Sequence, residues 1–217
     1  MTTPDASKHV LYLRTWDEYM LDAFSRELPS RWRVTFQPIH RMAEIELALY
    51  DVIYVPSAHD QIFMQTQTGR VLDYLEAGGN MVINGHFARP WLPFLKPFQA
   101  VSPRPYTNWM IRPHTPGAYF GRMDYAVYHV HDGVLGQYAR GWSEPPEGAQ
   151  WLSMIGPPDG LRPVDWVWRY PGGGNVFVHN GDCIHWFHSG RDARPSLLLD
   201  ILDAVTARAD AAPEPTR

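Results

Sequence analysis

The chain has little of what several common classes of site require, beginning with cysteine. Cys183 is the only cysteine among 217 residues, which excludes an internal disulfide and any cysteine-rich zinc or iron–sulfur site. Lysine and arginine number 19 against 23 acidic residues, and they form no cluster. Because a net charge of −4 without a basic patch offers nothing to a phosphate backbone, we predict no nucleic-acid partner.

Long hydrophobic runs are also missing. No apolar stretch is long enough to cross a bilayer, and the polar start of the chain lacks the pattern of a secretory signal. We therefore expect a cytoplasmic protein without a membrane partner. Hydrophobic residues at 45% and a length of 217 are typical of one globular domain. We expect a flexible N-terminus over residues 1–8, a single α/β domain over 9–207 and a disordered tail over 208–217.

Aromatic and imidazole rings are abundant: 9 Trp, 11 Tyr and 10 His. Amphipathic rings suit a polar small-molecule pocket with aromatic walls. They equally suit a tryptophan-rich core. Composition therefore permits a small-molecule ligand without requiring one.

The first 86 residues alternate between two periodicities. Short apolar runs at 9–13, 34–36, 51–55 and 81–83 predict strands, and apolar residues at helical spacing predict helices between them. A capping-box pattern at Thr15 predicts the start of the first helix, and Gly78-Gly79 predicts a glycine cap at the end of the helix before the fourth strand. Strand, helix and strand with short connections are typical of right-handed βαβ units. The sequence predicts an α/β fold with a flavodoxin-like, doubly wound and mostly parallel sheet.

Residues 88–160 break this alternation. They are rich in proline and aromatic residues and predict an insertion of short antiparallel strands and loops over the sheet. Regular structure returns with predicted strands at 165–168 and 175–179, joined by a glycine-rich turn, and with an apolar helix around 197–205.

In open parallel sheets, ligands bind outside the carboxyl ends of the strands. Polar and aromatic residues follow four of the predicted strands, and we expect them to surround one pocket. The predicted catalytic residues are His86, His179 and Asp182. The predicted ligand-binding residues are Arg14, Trp16, Ser57, His59, Asp60, Asn84, Asn180, His185 and Trp186.

Two segments carry a resemblance to a known superfamily. Leu72-Asp-Tyr-Leu-Glu-Ala-Gly-Gly-Asn-Met-Val-Ile-Asn-Gly-His86 resembles the helix, Gly-Gly turn and strand that lead into the nucleophile elbow of class I glutamine amidotransferase-like proteins. The strand that ends at His179 resembles the one that carries their catalytic histidine. The ThuA-like (trehalose utilisation) branch is the most similar, because its elbow also has histidine beside glycine. The resemblance implies the same flavodoxin-like fold and a carbohydrate-derived ligand.

The chain departs from this superfamily at the elbow. Ile83-Asn-Gly-His-Phe87 has no cysteine where the glutaminases have their nucleophile, so no thiolate can attack a glutamine amide there. The His-X-Glu pair of the superfamily is rearranged, with Asp182 three residues after His179. We therefore expect a protein without glutaminase activity that binds or processes a small polar metabolite without a cofactor; whether it is an enzyme stays open.

Several of these residues also have plain structural interpretations. His86 can serve as a general base or metal ligand, or it can simply bond a backbone carbonyl at a strand end. Asp60 can line the pocket or form the N-cap of the next helix. Asp182 with His185 can form a local turn.

Two other functions stay open at this point. One is a non-catalytic binding or assembly module of the same fold. The other is a metal-dependent hydrolase using the histidines, with His129 and His131 as ligands because they lie on the same face of a predicted strand. No third ligand is identifiable. Homo-oligomerisation through the proline- and aromatic-rich insertion also stays open.

Overall fold

A computed structural model of the chain describes residues 7–15, 24, 28–114, 130–131, 133–187 and 197–207. The side chains of His131, Trp186 and Phe187 fall outside this description. The strands are β1 (Lys8–Arg14), β2 (Trp32–Pro38), β3 (Val52–Val55), β4 (Asn80–Asn84), β5 (Gln99–Ala100), β6 (Arg112–Pro113), β7 (Val130–His131), β8 (Val134–Leu135), β9 (Gly141–Trp142), β10 (Gln150–Ile155), β11 (Arg162–Arg169) and β12 (Asn175–His179).

Eight strands form one mixed sheet in the order β2-β1-β3-β4-β12-β11-β10-β6. Neighbours from β2 to β12 pair in parallel, whereas β12 with β11, β11 with β10, and β10 with β6 pair antiparallel. Two small sheets, β5 with β9 and β7 with β8, lie apart from it.

The predicted strands of the parallel part are confirmed, with shifts of one or two residues at their ends. Successive residues of a strand point to opposite faces of the sheet. In β1, Val10 and Tyr12 accordingly enter one hydrophobic core, and Leu11 and Leu13 enter the other. A strand that is buried on both faces must be apolar at every position, which explains the continuous apolar runs in the sequence.

Three α-helices have both ends among the described residues: α1 (Gln61–Thr66), α2 (Thr68–Glu76) and α3 (Leu197–Val205). Helix α2 buries Val71 and Leu75 in the core that also holds Leu11. Helix α3 buries its apolar side chains in the opposite core. The predicted glycine cap of α2 is confirmed, because Gly78 has φ +90° and the Gly79 N–H donates to the Tyr74 carbonyl at 2.9 Å.

The connections are less helical than the sequence predicts. The helix expected before β3 is replaced by two 3₁₀ segments, Ile39–Glu44 and Leu47–Leu49. A third 3₁₀ segment, Tyr106–Trp109, lies in the insertion, and a fourth, Ile184–Phe187, follows β12. The helix predicted from Thr15 onward falls mostly outside the described residues. Within those residues, no helix has the length and apolar character needed to span a membrane.

The expected flavodoxin-like, doubly wound fold is wrong. Residues 88–160 were expected to lie over the sheet, but their strands β10 and β6 extend the sheet itself beyond β11. The physical reason is that the β11–β12 hairpin leaves β11 with an unpaired edge, and backbone groups at such an edge need partners. The result is a mixed sheet with an antiparallel half and few helices.

Candidate functional site

The loops that follow β3, β4 and β12 meet at one edge of the sheet. The Gly85 N–H donates to the His179 carbonyl at 3.0 Å, and the Ile184 N–H donates to the Asn84 side-chain oxygen at 3.0 Å. The Ser57 N–H lies 3.1 Å from the Cys183 sulfur. The structure therefore brings together the predicted site residues that follow these strands, because the carboxyl ends of parallel neighbours share an edge.

Gly85 sets how closely two of these loops approach. Its φ is +117°, and a Cβ built on it would lie 2.5 Å from the Ser57 carbonyl oxygen. Only a residue without a side chain combines this backbone angle with this contact. The chain can therefore turn sharply after β4 and present His86 beside β12.

A buried network of polar side chains is centred on Asp165. His179 Nδ1 lies 2.7 Å from Asp165 Oδ1, and neither residue has exposed area. The other carboxylate oxygen accepts hydrogen bonds from the hydroxyls of Tyr138, at 2.9 Å, and Ser153. The register of β11 against β12 places Asp165 directly opposite His179. The carboxylate therefore fixes the orientation of the imidazole, as in proteins that use such a pair for proton transfer.

Sequence reasoning predicted His179 but missed Asp165, Tyr138 and Ser153. One signal was present: an aspartate inside the apolar run of β11 must be paired if it is buried. Tyr138 and Ser153 gave no such signal. They reach Asp165 only because the insertion adds β10 to the sheet and packs the loop around Tyr138 against β12, where Ala139 bridges to Gly181.

His86 lies at the surface next to this buried network. It is exposed, and its ring stacks on Phe98 with the ring centroids 3.9 Å apart. Burial of part of the ring, together with smaller effects from the nearby His179 and Arg140, lowers the pKa of His86 to about 4. The imidazole is therefore neutral at neutral pH. His86 and His179 lie on adjacent strand ends, as predicted, but their catalytic role stays a prediction.

His59 has a fixed structural environment. Its Nδ1 lies 2.7 Å from the Pro56 carbonyl, and its Nε2 accepts the Trp91 indole N–H at 2.9 Å. Since an indole N–H can only donate, Nε2 must be the unprotonated nitrogen. Burial lowers the pKa of His59 to about 4. Both ring nitrogens are thus engaged within the protein, and a ligand would have to displace one of these bonds.

Asp60 and Asn84 also bond to the backbone around them. Asp60 caps α1 by accepting the Phe63 N–H at 2.9 Å, and it pairs with His40 at 3.0 Å. This geometry agrees with the N-cap interpretation of Asp60. Asn84 is fully buried and donates to the Val55 carbonyl at 2.9 Å. These contacts hold the loops after β3 and β4 in place.

The residues after His179 turn inward. Asn180 is fully buried and donates to the Val164 carbonyl at 2.9 Å. His185 is fully buried too, with its Nδ1 2.8 Å from the Tyr54 hydroxyl. Burial raises the pKa of Tyr54 far above its usual range, so Tyr54 takes part in this bond as a neutral hydroxyl. Arg14 and Asp182 are half-buried at the ends of β1 and β12.

The remaining predicted site residues cannot be placed. Trp16 and His129 lie outside the described residues, as do the side chains of Trp186 and His131. The His129–His131 metal alternative therefore stays a prediction. Within the described part of the chain, no three His, Cys, Asp or Glu side chains are grouped as metal ligands. That the protein uses no cofactor stays a prediction.

An open cleft lies at the other end of the parallel strands, where the sequence predicted no site. Its volume is about 410 Å³, and we call it the amino-end cleft because it borders the residues that lead into β3 and β4. Its lining consists of Glu46, Leu47, Ala48, Tyr50, Asp51, Arg70, Asp73, Tyr74, Ala77, Gly78, Gly79 and Asn80.

Comparison with known proteins bears on the fold. The solved mmIFT52 N-terminal domain matches with a TM-score of 0.53 and 12% sequence identity, over 93% of this chain and 99% of that domain. No protein-family model and no curated protein matches the chain. The resemblance to amidotransferase-like and ThuA-like proteins is therefore wrong. The metabolite-binding or metabolite-processing function rested on that resemblance and is wrong with it.

Proposed function

We propose that this chain is a protein-binding module that takes part in a larger assembly. The observation that carries the proposal is the burial of the candidate catalytic pair. Asp165 and His179 have no exposed area, and the Asp165 carboxylate is satisfied internally by His179, Tyr138 and Ser153. Buried polar groups that satisfy one another favour a unique packing of the core, and they do not require a substrate.

The fold match supports the same proposal. The matching domain belongs to an intraflagellar transport protein, which suggests a role in assembly. Exposed large apolar side chains offer contact points for a partner: Leu49, Ile62, Tyr106, Val130 and Val134. A second copy of the chain is one candidate partner, and a cytoplasmic location is part of the proposal.

Sedimentation in a gentle lysate of the cells that make the protein tests this function. We expect the tagged chain to migrate well above its own mass of 24.9 kDa and His86→Ala to migrate in the same position. Light scattering of the purified chain then distinguishes a homo-oligomer from a complex with other proteins. Migration as a 24.9-kDa monomer in both experiments would reject the proposal.

A further inference from the structure

We propose that the amino-end cleft binds an arginine side chain of a partner protein, with an apolar residue beside that arginine packing on Leu49. This inference rests on the proposed function and names the surface and the chemistry of its partner. Three properties of the cleft support it: its size, its charge and the exposed leucine beside it.

The size and walls of the cleft suit a side chain with an apolar stem. A volume of about 410 Å³ lies within the range of about 300–1,000 Å³ for ligand sites. Leu47 and Tyr74 form buried apolar parts of its wall. The Tyr74 hydroxyl donates to the Tyr50 carbonyl at 3.1 Å and accepts the Asn80 N–H at 3.2 Å. These bonds hold the wall rigid, so little ordering is needed when a partner binds.

The charges of the cleft favour a cation. Its acidic residues are Glu46, Asp51 and Asp73, and its only basic residue is Arg70. Arg70 donates to the Ile45 carbonyl at 2.6 Å, and Asp51 accepts the His9 N–H at 2.6 Å. Glu46 and Asp73 are exposed and remain the carboxylates best placed to pair with a partner.

Helix α2 adds to this negative potential. Its carboxyl end lies at the cleft, and its last turn contains no basic residue. A helix C-terminus carries roughly half a negative charge and is stabilised by a nearby cation. Asp73 lies in this same last turn, where an acidic side chain is unfavourable. A cation from a partner would relieve both effects.

A guanidinium fits this site better than a metal ion. The described residues contain no group of three acidic or imidazole side chains placed for metal coordination. Guanidinium is planar, weakly hydrated and able to bond a carboxylate with two parallel N–H groups, so it tolerates apolar walls better than a lysine ammonium does.

Leu49 indicates which type of residue lies next to the arginine in the partner protein. Its neighbours Ala48 and Tyr50 both line the cleft, and its own side chain is 68% exposed. An exposed apolar side chain is stabilised when an apolar side chain of a partner removes its surface from water. The partner segment should therefore carry leucine or a similar residue next to its arginine.

Amide chemical shifts of the ¹⁵N-labelled full-length chain test the proposal. The probe is a blocked Gly-Leu-Arg-Leu-Gly peptide, compared with the same peptide carrying citrulline, the neutral isostere of arginine. We expect saturable shifts confined to residues 46–51 and 73–80 and at least fivefold weaker binding of the citrulline peptide. Equal binding of both peptides, or no shifts in these residues at millimolar peptide, would overturn the proposal.

Variants of residues that line the cleft provide a second test of the same proposal. Glu46→Gln combined with Asp73→Asn should weaken binding about fivefold, since each exposed ion pair changes an equilibrium constant by roughly 1.5- to 5-fold. Ala48→Trp should abolish binding by filling the cleft without removing charge. The control, Glu144→Gln with Asp159→Asn, removes two exposed carboxylates outside the cleft and should bind as wild type. Weakening of the same size by the control and by the cleft double variant would show general electrostatic attraction and reject the site.

Failure of this inference is distinguishable from failure of the proposed function. If the chain sediments in a large assembly and Ala48→Trp leaves that assembly intact, the protein is an assembly module that uses another surface. If the chain is monomeric in the lysate but binds the arginine peptide at the cleft, the cleft is a site and the assembly function is wrong.

Discussion

The two ends of the parallel strands differ in how their polar groups are satisfied. At the carboxyl end, Asp165, His179 and Asn180 bond to one another or to the backbone and have no exposed area. At the amino end, Glu46 and Asp73 are exposed beside an open cleft. The usual rule places ligands at the carboxyl end of such a sheet. In this chain the insertion packs the loop around Tyr138 against β12 at that end, and an open cleft lies at the opposite one.

Replacing Asp165, the centre of the buried network, should destabilise the protein more than any other single substitution that we consider. We expect Asp165→Ala to lower the free energy of unfolding by about 3–5 kcal/mol, because it leaves three buried polar groups without their acceptor. Urea denaturation followed by circular dichroism measures the change. Asp159→Ala, in the exposed turn between β10 and β11, is the control and should change stability by less than about 0.5 kcal/mol. A loss below about 1 kcal/mol for Asp165→Ala would show that the network does not hold the carboxyl end together.

Substitution of Gly85, in the sharp turn after β4, should destabilise the protein nearly as much. Gly85→Ala combines an unfavourable φ with a backbone clash against Ser57, and we expect it to cost about 2–4 kcal/mol. Gly148→Ala is the matched control, because Gly148 has φ +80° and open space around its Cβ position. It should cost only about 1 kcal/mol. Equal losses of unfolding free energy for the two variants would mean that the close approach of Gly85 to Ser57 contributes nothing to stability.

The carboxyl end should also lose stability in acid through His59. Its pKa is about 4 in the folded protein and about 6.5 in the unfolded chain. Between these values the unfolded state binds more protons, so the contribution is complete above pH 6.5 and falls as the pH drops towards 4. We expect the wild type to lose about 2 kcal/mol more than His59→Gln between pH 7 and pH 4.5.

Urea midpoints at the two pH values measure this difference. His40→Gln is the control, because His40 is exposed and the substitution leaves the bonds from His59 to Pro56 and Trp91 in place. An acid-induced loss of the same size in His59→Gln and in the wild type would mean that His59 is not the group responsible.

At the amino end, removing a charge should increase the stability of the protein slightly, and this is the smallest effect that we expect. Asp73→Asn removes an acidic side chain from the carboxyl-terminal turn of α2, and we expect the free energy of unfolding to rise by about 0.3 kcal/mol. Thermal denaturation at low salt is the most sensitive measurement, because salt screens this interaction. A clear loss of stability would indicate that Asp73 holds the fold together, and the contrast between the two ends would then fail.

Sequence patterns predicted local structure well wherever the signal came from one segment. The apolar runs of β1, β3, β4 and β12 and the glycine cap of α2 were readable because each depends on residues close in the chain. The meeting of the loops after β3, β4 and β12 was also predictable, since it follows from parallel pairing alone. The resemblance to amidotransferase-like proteins was not a safe guide, because a helix, a Gly-Gly turn and a strand recur in many α/β proteins.

The pairing of residues 88–160 was beyond sequence reasoning. Strand β6 has two residues and β10 has six, and such short segments carry little periodic signal of their own. Their place in the sheet depends on the edge of β11, which is formed by residues farther along the chain. The bonds from Tyr138 and Ser153 to Asp165 follow from this pairing, whereas the contact between Asp165 and His179 follows from the β11–β12 register.

By itself, the sequence determined the apolar strands of the parallel sheet and the absence of a cysteine from the turn after β4. Each of these depends on the chemistry of a few adjacent residues. Only the tertiary structure decided that His179, the last residue of β12, is buried with Asp165, Tyr138 and Ser153 and that the cleft opens at the amino ends of the strands. Both depend on contacts between distant segments, whose free energy comes from burial and complementary hydrogen bonds that exist only after the whole sheet has formed.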